Sequence, residues 1–135
     1  MEQLYFLSII FNSISGLVLA SEHLGAKISL FGLIDKFFKH AGVRLVLAFL
    51  VMVIGLVKLI WPYQGIPVLG DLLPAAAGLG GGFTLLYDFM RGKSDVTSET
   101  MTKMDKIFLS NKFIIGVGSF VVAVLHFFFN WAVIF

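Results

Sequence analysis

Few residues in this 135-residue chain can do chemistry, and most of them stand in apolar surroundings. Lys58 follows the run "LVLAFLVMVIGLV", Asp71 precedes "LLPAAAGLGGG", and His126 lies in "VVAVLHFFFNWAVIF" with Asn130 one turn on. Asn12 interrupts an apolar run near the N-terminus. A charged or ionisable group at membrane depth costs free energy, so each is a functional candidate until a structural role explains it. A helix rises about 1.5 Å per residue. If the four apolar stretches alternate in direction, Asn12, Lys58, Asp71, His126 and Asn130 fall at similar depth and can converge on one polar pocket. Lys58 and Asp71 are its natural ion pair, able to hold an ion, a proton or a polar ligand. Arg44 and Asp88 form a second candidate pair at the opposite depth, with Glu22, His23 and Arg91 near them. A plain structural alternative stands beside each: Lys58 can snorkel toward head groups past Trp61, Asp71 can cap the helix it precedes, and His126 with Asn130 can make interhelical hydrogen bonds.

Other chemistry is weakly supported. The absence of Cys removes disulfides, thiolate metal sites and cysteine nucleophiles together. No H-E-x-x-H occurs, the three His are scattered, and no metal site is expected. A haem held by two His needs a partner for His126 at its own depth, whereas His23 and His40 belong to the other side. The run "GLGGG" is not a phosphate loop: Phe83 stands where the third Gly of G-x-G-x-x-G belongs, and no strand precedes it. Quinone or lipid chemistry through His126 and Asp71 is a third reading that nothing in the sequence requires. No cofactor is expected, and the chain more resembles a non-enzyme than an enzyme.

The elements that position these residues follow from composition. With 59% hydrophobic and 13% charged residues and a mean hydropathy of +0.97, the chain lies far from the soluble norm of about 25% charged. The expected fold is an all-α membrane protein, one domain over 1–135. Four charge-free stretches, Leu4 to Ala20, Leu45 to Val57, Leu72 to Tyr87 and Phe113 to Phe135, each extend with a few flanking residues to the roughly 20 needed to span. The first has no basic n-region and reads as a retained helix rather than a signal peptide. Nine of the ten basic residues, Lys27, Lys36, Lys39, Arg44, Arg91, Lys93, Lys103, Lys106 and Lys112, fall in or beside the connections after the first and third stretches. The positive-inside rule therefore puts those connections in the cytoplasm and both termini outside a cytoplasmic (inner) membrane.

Between the first two stretches, "ISLFGLIDKFFKH" sets Leu30, Phe31, Ile34, Phe37 and Phe38 against Asp35, Lys36, Lys39 and His40, the pattern of a short interfacial helix. "GKSDVTSETMTKMDKIF" reads as a turn and a second short amphipathic helix with Met101, Met104, Ile107 and Phe108 on one side, and Ser110 or Asn111 can cap the last stretch. Trp61, Pro62, Pro67 and Gly70 break helicity and predict an outer loop, with Trp61 and Tyr63 as aromatic anchors. Pro74 falls in the first turn after Asp71, where its missing N–H costs nothing. In lipid, helices associate through close approach at small residues. Ala75, Gly78 and Gly82 form one stripe of the third stretch and Ala77, Gly81 and Thr84 another, which predicts that this helix is the buried centre. Gly116, Ser119, Ala123, His126 and Asn130 share a face of the fourth; Arg44, Ala48, Val51, Gly55 and Lys58 share one of the second; Ser8, Asn12, Ser15 and Gly16 mark the first.

The run "RLVLAFLVMVIGLVKLIWP" resembles the first helix of small four-span DoxX-type proteins, where Arg opens the span and G-x-x-K-L closes it. The likeness covers about one seventh of the chain, falls in the second helix rather than the first, and implies no function. The expected role is a non-catalytic accessory or structural subunit, as a homo-oligomer or in a larger membrane complex, with membrane lipids as partners and no nucleic acid. The alternatives are an oligomeric channel or carrier using the polar pocket, and a membrane enzyme acting on lipid or quinone.

Overall fold

Long runs of Leu, Val, Ile, Phe, Ala and Met with no proline beyond a first turn satisfy their backbone groups most cheaply as helices, and the computed structural model is all-helical across the residues it describes, 2–61 and 71–129. Four long helices, α1 (Glu2–Leu24), α3 (Ala41–Ile60), α4 (Leu72–Arg91) and α6 (Lys112–Phe128), run up-down-up-down. Two short ones, α2 (Ser29–Phe37) and α5 (Glu99–Met104), lie in the connections, and α5 runs into a π-helical turn over Asp105–Leu109. The expected outer loop, with Pro62, Tyr63, Pro67 and Gly70, lies outside the described residues, as does Asn130.

Glycine fixes how the long helices meet. A Cβ added to Gly16 of α1 would lie 2.6 Å from the Gly116 carbonyl oxygen, and one on Gly116 of α6 would lie 2.7 Å from that of Gly16, so α1 and α6 touch backbone to backbone. The α3–α4 contact is built the same way: a Cβ on Gly55 would meet Ala75 O at 3.1 Å, and one on Gly82 would meet Ala48 O at 3.0 Å. Dispersion and weak backbone contacts hold such crossings where burial of apolar surface gives little. The α1–α6 and α3–α4 pairs then pack together, with α1 touching α3 and α4, and α4 touching α6, while the backbones of α3 and α6 stay apart at opposite corners. Centrality is therefore shared: α1, not α4 alone, lies on the inner diagonal. Its Ser15, Gly16, Leu19 and Ala20 are small or slim enough to serve several neighbours at once.

Local expectations were redirected by longer-range contacts. Asp71 stands at the N-cap position of α4, but its side chain accepts no capping bond; it is the sole described non-glycine residue with positive φ, at 60°. Asn111 does not cap α6 either, because its Nδ2 donates backward to Lys106 O (3.1 Å) and Ile107 O (2.9 Å), closing the π-helical turn. In α2 the apolar residues divide: Ile34 and Phe38 pack on the core cluster of Val18, Leu19, Leu47, Ala48, Val51 and Leu85, while Leu30, Leu33 and Phe37 stay 62, 64 and 69% exposed.

Two helices, Glu2–Leu24 and Ala41–Ile60, are long and apolar enough to cross a membrane. Glu99–Leu109 and Lys112–Phe128, bent by 46° at their junction, make a third if they count as one span. Glycine, Pro74 and Asp88 dilute the hydropathy of α4.

Candidate functional site

The two ends of the bundle differ in how they handle charge. At the end holding the start of α1, Lys58 closes α3, Asp71 opens α4 and His126 nears the end of α6. The fold buries all three, with side chains 1, 3 and 0% exposed respectively. Lys58 Nζ donates to Asp71 Oδ2 at 2.8 Å and lies 3.2 Å from His126 Nε2. An ammonium has only donors, so Nε2 accepts and the proton of a neutral imidazole sits on Nδ1. That nitrogen faces Asp71 Oδ1 at 3.8 Å. The triad thus joins α3, α4 and α6, including the two helices whose backbones do not meet. The positive φ of Asp71 belongs to this arrangement: the αL conformation is strained for any side chain, though least for Asx residues, and its carboxylate serves Lys58 instead of α4.

Tyr5 completes the cluster. Its ring meets His126 edge-on at 4.7 Å, and the Lys58 ammonium lies 5.7 Å from its centroid. Its hydroxyl donates to the His126 and Phe127 carbonyls at 3.0 and 3.1 Å, groups that the end of α6 leaves without intrahelical partners. The sequence reading missed Tyr5, although it stands three residues before Ser8 in the spacing that continues to Asn12. Asn12 does not join the triad. Its Nδ2 donates to Pro74 O at 2.9 Å and to Ser8 Oγ at 3.5 Å, pinning α1 to the first turn of α4.

At the opposite end, four charges alternate around all four long helices. Arg44 of α3 donates to Glu22 of α1 at 2.5 Å and to Asp88 of α4 at 2.9 Å; Lys112 of α6 donates to Glu22 and, at 3.2 Å, to Asp88. Arg44 Nε also donates to Phe38 O at 2.9 Å, and Asp35 lies 4.0 Å from its guanidinium, so α2 is tied to the same cation. The ring contains the Arg44 and Asp88 pair together with Glu22 and Lys112. Beside it, Arg91 Nε donates to both oxygens of Asp105 at 3.1 Å and the Tyr87 hydroxyl donates to Asp105 Oδ1 at 2.7 Å, docking the π-helical turn on α4. Arg91 foremost, and then Tyr87, holds the Asp105 carboxyl below the usual carboxylate range.

The small residues Ala75, Gly78, Gly82, Gly116, Ser119 and Ala123 are all buried in helix contacts. Ser119 Oγ donates to Ala77 O at 3.4 Å, and Gly81 faces both Ser15 and Ser119. Among the described residues no three His, Asp or Glu side chains are grouped to hold a metal ion. The chemistry within reach is proton exchange among a carboxylate, an imidazole and an ammonium, or charge neutralisation without turnover.

The fold and its two charge clusters define a small all-helical bundle stapled at both ends. The chain belongs to a protein family of unknown function, whose family model matches residues 1–126. No curated protein and no solved structure matches it.

Proposed function

We propose that the protein is a four-span integral membrane protein of a cytoplasmic membrane, with both termini outside and α2 in the cytoplasmic interface, acting as a non-catalytic structural or accessory subunit. The reading rests on one observation: the charges on the inward faces of the four long helices close on one another, Lys58 on Asp71 and Arg44 and Lys112 on Glu22 and Asp88. Among the described residues these pairs lie at the two ends, and no Asp, Glu, Lys or Arg stands between them in the packed middle, where Gly16, Gly116, Gly55 and Gly82 bring backbones into contact. The exposed surface of the long helices is Phe, Leu, Val and Ile, suited to lipid or to other membrane helices.

Because the chain has no cysteine, single labels test sidedness directly. Glu2→Cys should react with a membrane-impermeant maleimide from outside, and Ser94→Cys only after access to the cytoplasmic face. Light scattering of the detergent-purified protein should give an oligomer or a complex with another subunit. A strict monomer without partners refutes the subunit reading, and labelling of both positions from one side refutes the topology.

A second reading, an oligomeric channel or carrier, is supported by the burial of three ionisable groups in mutual contact at one end. It requires that substitution of Lys58, Asp71 and His126 together alter flux in liposomes while the bundle stays folded.

A further inference from the structure

Four of the nine cations of the cytoplasmic rim are already matched. Arg44 and Lys112 belong to the ring, Arg91 to Asp105, and Lys103 to Glu99 at 3.2 Å. Among the described residues Lys27, Lys36, Lys39, Lys93 and Lys106 make no ion pair, and of these Lys39 and Lys93 line one pocket of about 310 Å³ with Ala41, Arg44, Asp88, Phe89 and Gly92. Lys39 comes from the α2–α3 junction and Lys93 from just past α4, so the fold brings them together over more than fifty residues. Lys93 rests over the Phe89 ring, 4.6 Å from its centroid, which keeps its ammonium beside the pocket. The pocket floor is the balanced pair of Arg44 and Asp88, so the lysines at its rim supply an excess of positive charge. Apolar side chains next to the lining residues in the chain are exposed: Phe37, two residues before Lys39, and Met90, directly after Phe89.

We propose that this pocket binds the phosphate of an anionic phospholipid, with Lys39 and Lys93 as its two cations and the acyl chains toward the exposed apolar side chains of Phe37 and Met90. The proposal rests on the membrane-spanning reading above. Two lysines without an ion pair beside space for a polar head, with exposed apolar side chains next to them in the chain, fit a phospholipid better than a free anion, which has no use for apolar neighbours. A zwitterionic head carries its own cation and would meet the lysines unfavourably.

The test titrates detergent-purified protein with short-chain phosphatidylglycerol, phosphatidylcholine or inorganic phosphate and reads thermal stability, since a ligand of the native state raises Tm with concentration. Phosphatidylglycerol should stabilise and phosphatidylcholine should not. Lys39→Gln/Lys93→Gln should weaken the apparent affinity about 30-fold, from roughly fivefold per lysine beside an anionic surface. Lys27→Gln/Lys106→Gln removes the same charge from exposed lysines outside the pocket and should change affinity less than about threefold. Equal losses in the two double variants would overturn the site in favour of diffuse attraction, and equal stabilisation by inorganic phosphate would overturn the lipid as occupant. Circular dichroism checks that each variant is folded. Failure of the wild-type protein to float with liposomes refutes the membrane reading itself, an outcome separate from membrane insertion without lipid preference, which overturns the site alone.

Discussion

Substituting Gly116 by alanine tests the packing that holds the bundle together. The added methyl would lie 2.7 Å from Gly16 O, 2.8 Å from Ala20 N and 2.8 Å from Leu19 Cβ, whereas ordinary contact begins at 3.4 Å. Two of these neighbours are backbone atoms of α1, which no rotamer change can move aside. The helices must separate by about 0.7 Å, the difference between 3.4 and 2.7 Å, and the contacts along the α1–α6 crossing loosen with them. Overpacking of this kind costs about 1–3 kcal/mol. Alanine also favours the helix over glycine by up to about 1 kcal/mol, but that gain is common to any exposed or buried helical position and can be cancelled. Gly118→Ala supplies the reference, because a Cβ there meets nothing within 4 Å on the same helix. The two variants, unfolded by SDS titration in bicelles and followed by circular dichroism, should differ by about 1–3 kcal/mol, with Gly118→Ala the more stable. Gly16→Ala should behave like Gly116→Ala, and the double variant should lose less than the sum, because one displacement relieves both clashes. Equal stability of Gly116→Ala and Gly118→Ala would refute backbone contact as the basis of the crossing.

Two further outcomes follow from the charge clusters. Lys58→Met leaves Asp71 buried without its ammonium and should destabilise by about 3–5 kcal/mol, while Lys58→Met/Asp71→Asn, which removes the stranded charge and keeps a residue that tolerates αL, should recover much of that loss; a double variant as unstable as the single one, in the same SDS titration, contradicts a charge-pairing role. The Asp105 contact should depend on pH: a carboxyl held below its usual range by Arg91 and Tyr87 stabilises the docked state fully above the unfolded pKa of about 4, and loses that contribution as pH falls through the lowered folded value. Protection factors of the amides of 99–109, with the intrinsic exchange rate divided out at each pH, should therefore fall at low pH and become insensitive to pH in that window in Asp105→Asn; an unchanged pH profile of protection in that variant rules out Asp105 as the titrating group.

Much of the packing is visible in the sequence because helical period is fixed by the backbone. Gly116, Ser119, Ala123 and His126 stand at intervals of three and four, and α6 turns that face inward; Ala48, Val51, Gly55 and Lys58 do the same on α3. Depth along antiparallel helices likewise follows from rise per residue, which is why Lys58, Asp71 and His126 could be considered together at all. Lateral position does not follow from either quantity. Asn12 shares their depth but faces Pro74, and Glu22 and Lys112 join Arg44 and Asp88 only because α1 and α4 occupy the inner diagonal between α3 and α6. The π-helical turn was illegible for a related reason. One residue too many is accommodated where Ser110 N reaches Asp105 O at 3.0 Å, and its placement answers to Arg91 and Tyr87, not to the local run of residues.

Asp71 marks the point where local and long-range demands conflict. Its position before "LLPA" makes it a natural N-cap, and capping would contribute about 1 kcal/mol. The carboxylate instead meets Lys58, and the backbone accepts φ of 60° to do so. A lysine buried to 1% exposure explains the preference: leaving that charge unpaired costs several times what a cap contributes. The ordering is testable at one residue. Asp71→Asn keeps both the tolerance for αL and the capping amide oxygen but removes the charge, so if pairing governs, it should lose nearly as much stability as Asp71→Ala. If the backbone turn governs, Asp71→Gly, which relieves the strain, should be the most stable of the three.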